Sequence, residues 1–172
     1  GEAEITGADY RNLSTVTGIL SEAGCYVRSE GKTIVIRRGD APLRCVPPIR
    51  TAPYPGFPTD AQALVMAALV KSRGATVFAE NMFTSRFRHV DELMRMGADI
   101  KVEGRVAVVC GVPRLHGAGL RATDLRGGAA MVVAALAAEG DSEITCLHHI
   151  DRVYEALDGA LRALGASIER RP

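Results

Sequence analysis

"PTDAQALVMAALVKSRGATVFAE", residues 58–80, and "ATDLRGGAAMVVAALAAEGDSEIT", residues 122–145, follow one plan. Each opens at Thr-Asp, runs on through small apolar residues for longer than a strand, halts at a glycine (Gly74, Gly140) and ends in a β-rich stretch. The pattern predicts two helices set by local chemistry. Thr59 or Asp60, and Thr123 or Asp124, can accept hydrogen bonds from the free N–H groups of the first turn, and the glycines can close the other ends. Asp60 and Asp124 then occupy equivalent places. From Gly127 to Ala138 every residue is Gly, Ala, Val, Met or Leu, so the second helix is apolar on all sides and belongs inside the protein. The two helices are expected side by side with strands outside them.

Working outward, a second element recurs. "ILSEAGCYVRSEGKTIVI" (19–36), "ELMRMGADIKVEGRVAVV" (92–109) and "ALRALGASIERRP" (160–172) each run from a helix into Gly and then a β-rich segment. Gly24, Gly97 and Gly165 fit the left-handed position just past a helix end. Their spacings of 73 and 68 residues exceed those of solenoid repeats and suggest small α/β units. Each unit reads strand, buried helix, strand, second helix, strand, strand. The predicted fold is α/β, an inside-out barrel-like domain of repeated βαβαββ units with buried helices and outer mixed sheets. Residues 1–40 form a partial unit, 41–112 a second and 113–172 a third. "AEITGADYRNLSTVTGILSEAG" supplies only the later half of the first unit, so the full protein is expected to be longer.

The bulk properties limit the function classes. A chain of 172 residues can bury roughly two thirds of its unfolded surface without disulfide staples. Twenty-one Lys and Arg against 20 Asp and Glu leave a formal charge of +1, with no long-range field for nucleic acid or acidic membranes. Any anion must be gripped locally. Cys25, Cys45, Cys110 and Cys146 lack zinc-site spacing and read as reduced thiols, mostly small core residues of a cytoplasmic protein. No basic flank with an apolar stretch opens the chain, and no apolar run is long enough for a bilayer.

Four ordered motifs carry a resemblance: "RTAPYPGFPTDAQ" (50–62), "ENMFTSRFRHVDELMRMGADI" (80–100), "LHGAGLRATDLRGGAAMVVAALAAEG" (115–140) and "HIDRVYEALDGALRALGASIER" (149–170). They resemble the carboxy-terminal part of the enolpyruvyl transferase family, in its UDP-N-acetylglucosamine branch, and the likeness spans residues 3–171. "PGFPTDAQ" and "RMGADI" favour that branch over the shikimate type. The resemblance implies two domains of three repeated units with helices inside. This chain would cover most of one, with the second domain and its mobile catalytic loop absent. It also implies a transferase of peptidoglycan synthesis, moving enolpyruvyl from phosphoenolpyruvate to the 3-hydroxyl of UDP-N-acetylglucosamine by addition and then elimination of phosphate. The reaction so implied needs no metal or organic cofactor, and the fragment alone would be inactive.

Read from the residues alone, Asp60 is a helix cap behind a stiff proline-rich connection. The resemblance makes it instead the general base at the sugar hydroxyl, with Thr59 beside it. Arg86, Arg126 and Arg152 are ordinary surface ion-pair candidates by themselves, but the resemblance assigns them to phosphate and carboxylate, with Arg152 also catalytic. Arg126 follows Asp124, another implied substrate contact, at a helix start that already favours anions. Met82 and Phe83 are implied to line the sugar-nucleotide site, the former through its backbone, although both also suit a core. His89, His148 and His149 have no matching nucleophile or metal spacing and are read as structural. Two positions depart from the family pattern: Val153 stands for a glycine after Arg152, and Gly127-Gly128 replaces an Ala-containing sequence, adding flexibility. The alternative function is a non-catalytic module that binds a sugar nucleotide or a protein partner.

Overall fold

The computed structural model describes residues 1–171. It begins with β1 (Glu2–Thr6), α1 (Tyr10–Glu22), β2 (Tyr26–Glu30) and β3 (Thr33–Arg37), the strands forming an antiparallel sheet in the order β1-β3-β2. Asp9 caps α1 by accepting from the Arg11 N–H, and Gly24 ends it at φ 109°. Gly97 and Gly165 have φ of 95° and 94°, and Gly74 and Gly140 are left-handed too, so all five predicted helix stops adopt the backbone that glycine favours.

The middle of the chain contains β4 (Ile49–Arg50), α2 (Thr59–Leu69), β5 (Ala75–Ala79), α3 (Val90–Arg95), β6 (Asp99–Glu103) and β7 (Val106–Cys110). Its sheet runs β4-β5-β7-β6, with β4 parallel to β5 and the other pairs antiparallel. Thr76 and Phe78 on β5, Ala107 and Val109 on β7, and Ile100 on β6 are buried while their neighbours along the strands are more exposed. That alternation turns one sheet face to the core.

Against this face lies α2, and it and the helix α4 (Leu125–Leu136) pack on each other more extensively than on any other element. Met66, Leu69, Met131 and Ala134 are sealed between them and the sheet, together with Leu93 and Met96 around α3. Each large apolar side chain so buried contributes about 1.5–3 kcal/mol. The two apolar helices therefore lie side by side in the core as expected, except that Leu136 in the last turn of α4 is 46% exposed. Before and after α4 come the parallel strands β8 (Gly119–Arg121) and β9 (Glu143–Thr145), followed by α5 (His148–Asp151) and α6 (Leu157–Ala163).

Four expectations need correction. Among the described residues the three sheets remain separate and no closed barrel forms. The β-rich segment after Gly165 makes no strand: Arg162 Nε holds the Ile168 carbonyl and Arg170 grips Asp151, side-chain bonds that take the place of a ladder. Only Cys25 among the cysteines is buried, and Cys45 is exposed. Gly127 and Gly128 are places of close approach rather than of looseness. A Cβ on Gly128 would stand 2.7 Å from Ile150 Cγ1, and one on Gly127 would stand 2.4 Å from Thr123 Oγ1.

Candidate active site

Thr51 and Phe57 bridge to each other at the two ends of the proline-rich loop, where the Ala52 N–H reaches the Phe57 carbonyl and the Gly56 N–H that of Pro53. Phe57 plugs into the core and Tyr54 stays exposed. This closed loop delivers the chain to α2 with Pro58, a residue of fixed φ, at the cap position. Pro58 has no side-chain acceptor, so Thr59 and Asp60 fall inside the helix and neither caps it. α4 differs. Asp124 is its cap and accepts from the N–H groups of Arg126 at 2.8 Å and Gly127 at 3.0 Å. Asp60 and Asp124 are therefore not equivalent: in helical register Asp60 matches Arg126, and these two meet.

Arg126 Nε donates to Asp60 Oδ1 at 2.5 Å, with the Asp60 side chain 68% exposed and that of Arg126 24%. The bond links the first turns of the two core helices. Arg126 thus bonds both aspartates, one through its backbone and one through its side chain, and among the described residues its two outer nitrogens make no hydrogen bond. Burial pushes the Asp124 carboxyl up, but the Gly127 and Arg126 N–H groups outweigh it and hold the group below the ordinary aspartate value. Asp124 is an anion fixed at a helix N-terminus.

Met82, Phe83 and Arg86 lie on the loop after β5, and all of it hangs on a residue that the sequence did not single out. Glu80 is 1% exposed. Its Oε1 accepts from Thr51 Oγ1 at 2.9 Å and from the N–H groups of Met82 and Phe83 at 2.9 and 3.0 Å, while Oε2 accepts from Thr59 Oγ1 at 2.9 Å. Met82 and Phe83 are exposed rather than core residues, which suits a ligand surface. The Arg86 guanidinium lies 4.3 Å from the centre of the Phe83 ring, and its Nε is buried without a partner.

His89 is 1% exposed near the start of α4, its Nε2 without a hydrogen-bond partner. Burial lowers its pKa to about 4, despite the nearby Asp124 carboxylate and a backbone contact with Arg86. It is a neutral core imidazole, as the structural reading expected. His148 and His149 stack with ring centres 4.1 Å apart, and no group of three metal-ligating side chains exists among the described residues. Arg152 closes α5 and is exposed, without an ion pair to the described residues; α5 packs on α4 through Ile150 and Gly128. The structure thus joins Thr59, Met82 and Phe83 through Glu80, with Arg86 against the Phe83 ring, and joins Asp60 and Asp124 through Arg126, the first by its side chain and the second by its backbone. It does not join Arg152 to either group. No described helix is long and apolar enough to cross a membrane.

Among solved structures the chain superposes on the enolpyruvyl transferase NikO from Streptomyces tendae with a TM-score of 0.87 and 28% identity, covering 98% of this chain and 40% of that one. EPSP synthase from Acinetobacter baumannii shares the fold at a TM-score of 0.68 and 17% identity. The mixed α/β fold is that of an enolpyruvyl transferase. Residues 1–168 match the EPSP synthase (3-phosphoshikimate 1-carboxyvinyltransferase) family. UDP-N-acetylglucosamine 1-carboxyvinyltransferase from Desulfofundulus thermocisternus is 49% identical over 100% of this chain and 70% of its own length. The enzymes of that name from Magnetococcus marinus and Clostridium botulinum are each 46% identical. The chain spans only 42% and 40% of those two relatives. The chain belongs to the EPSP synthase family of enolpyruvyl transferases, in the company of its UDP-N-acetylglucosamine 1-carboxyvinyltransferases.

Proposed function

We propose that this chain is part of a cytoplasmic enzyme that transfers enolpyruvyl from phosphoenolpyruvate to the 3-hydroxyl of UDP-N-acetylglucosamine, for peptidoglycan synthesis. Asp60 takes the proton of the sugar hydroxyl, whose oxygen bonds to C2 of phosphoenolpyruvate while an acid on the loop of the second domain protonates C3; elimination then removes a proton from C3, restores the double bond and breaks the C2–O bond to phosphate. The observation that supports this best is the Arg126–Asp60 bond at 2.5 Å, which holds an exposed carboxylate at the meeting of two core helices. A base so oriented needs little reorganisation to reach a reacting oxygen.

Phosphoenolpyruvate presents a phosphate and a carboxylate, and the outer nitrogens of Arg126 with the guanidiniums of Arg86 and Arg152 supply the matching cations. Thr59, Met82, Phe83 and Asp124 complete the substrate contacts. Residues 1–40, 41–112 and 113–172 are the units of one inside-out domain, and a second domain closes the other side of the cleft. Identities of 43–49% to sugar-nucleotide enzymes, against 17% to an EPSP synthase structure, favour this substrate over the shikimate type.

The test compares this chain with the complete protein for phosphate release from the two substrates together. The complete protein should turn over at roughly 1–10³ per second, while the chain alone should release none. Turnover by the chain alone would remove the need for a second domain. A complete protein that transfers to a shikimate phosphate instead would refute the substrate assignment.

A further inference from the structure

We propose that Glu80 is a positioning residue that locks the sugar-nucleotide loop to the helix carrying Asp60, so that one buried carboxylate sets both substrate placement and base placement. This rests on the function proposed above. Four donors converge on Glu80 from three parts of the chain: Thr51 after β4, Thr59 in the first turn of α2, and the backbone of Met82 and Phe83. Thr51 Oγ1 already accepts the Asn81 N–H at 2.8 Å, so its own proton is free for Glu80. The Glu80 backbone N–H is fixed to the Arg105 carbonyl at 2.8 Å, anchoring the residue itself next to β7.

No cation touches this side chain, and among the described residues its carboxyl oxygens only accept. A buried carboxylate without an ion pair is tolerable when hydrogen bonds satisfy its lone pairs, which makes all four bonds interdependent. A merely structural role could use any apolar plug. This arrangement instead fixes the two sides of the substrate contact at once: Thr59 precedes Asp60 directly, and Met82 and Phe83 have their N–H groups turned inward, leaving their side chains exposed.

The experiment uses the complete protein and measures kcat, separate KM values for the two substrates, calorimetric binding of UDP-N-acetylglucosamine and the melting temperature. Glu80→Ala should weaken sugar-nucleotide binding about tenfold or more and lower kcat, since bonds to a charged group carry more weight than neutral ones, while KM for phosphoenolpyruvate stays within about twofold. Glu80→Gln should restore most of both, because the amide oxygen can keep three of the acceptor bonds and the NH₂ can donate to Thr59. Thr51→Val, a milder cut in the same network, should move the same quantities by about threefold and serves if Glu80→Ala does not fold. A fall in melting temperature with kcat, KM and binding unchanged would overturn the proposal, as would a loss confined to phosphoenolpyruvate. If Asp60→Asn left turnover intact, the base role of Asp60 would fail, and if the complete protein did not turn over the two substrates at all, the function assignment would. The binding of UDP-N-acetylglucosamine to the Glu80 and Thr51 variants would still decide the positioning role.

Discussion

The starts of α2 and α4 share a Thr-Asp pair and do different work. In α4 the acid sits at the cap, bonds two backbone N–H groups and is partly buried; in α2 the acid sits two positions further in, caps nothing and is 68% exposed. Behind the acid, α4 has Gly127 and Gly128 pressed against His89, Thr123 and Ile150, whereas α2 has Ala61 and Gln62. One helix start is fastened by its own backbone, the other by an arginine 66 residues away. A carboxylate used up on backbone donors cannot serve as a base; one held from the side by a guanidinium can.

The largest effect that should separate the two starts is acid lability, because only α4 has a buried histidine against it. His89 has a pKa of about 4 in the fold against an ordinary value of about 6.5. The unfolded chain therefore binds a proton that the folded chain refuses, so stability falls as pH drops from about 6.5 to about 4 and is unaffected by this group above that window. At about 1.4 kcal/mol per pKa unit the loss is on the order of 3 kcal/mol, and Asp124 is the charged neighbour that bears on it, with a backbone contact from Arg86. Thermal melts of the complete protein at pH 7 and 4.5 check this, with His89→Gln expected to flatten the slope. An unchanged slope would detach His89 from the difference.

Packing comes next. Gly128→Val would drive a side chain into Ile150, which is 4% exposed and has little room to retreat. It should cost about 1–3 kcal/mol in denaturant unfolding. A smaller contrast concerns the acids themselves. Asp124→Ala should cost about 1 kcal/mol through the lost cap, whereas Asp60→Ala should stay within about 0.5 kcal/mol, the range for an exposed pair. Equal losses would erase the distinction between the helices.

Much of this was legible in the sequence, and the failures share a cause. The five helix-ending glycines, the two apolar helices and their adjacency follow from signals confined to a few residues. The offset between Asp60 and Asp124 does not, because the two Thr-Asp pairs look alike locally. What differs is Pro58 ahead of one pair, occupying the cap position, and a distant arginine. Glu80 was invisible for the same reason: an acid at a strand end reads as exposed, and two of its partners, Thr51 and Thr59, lie 29 and 21 residues away. The missing strand after Gly165 also depends on context, since a β-rich segment without a neighbouring strand has nowhere to place its backbone donors.

Asp60→Asn in the complete protein separates a base from a structural residue most cleanly. Asparagine keeps the size of the side chain and an oxygen to accept from Arg126 Nε, but it cannot take a proton. Turnover should fall by roughly 10²-fold or more, while the melting temperature stays within about 2 °C and UDP-N-acetylglucosamine binding is little changed. Full turnover accompanied by a melting temperature several degrees lower would make Asp60 a structural residue and leave this site without its base.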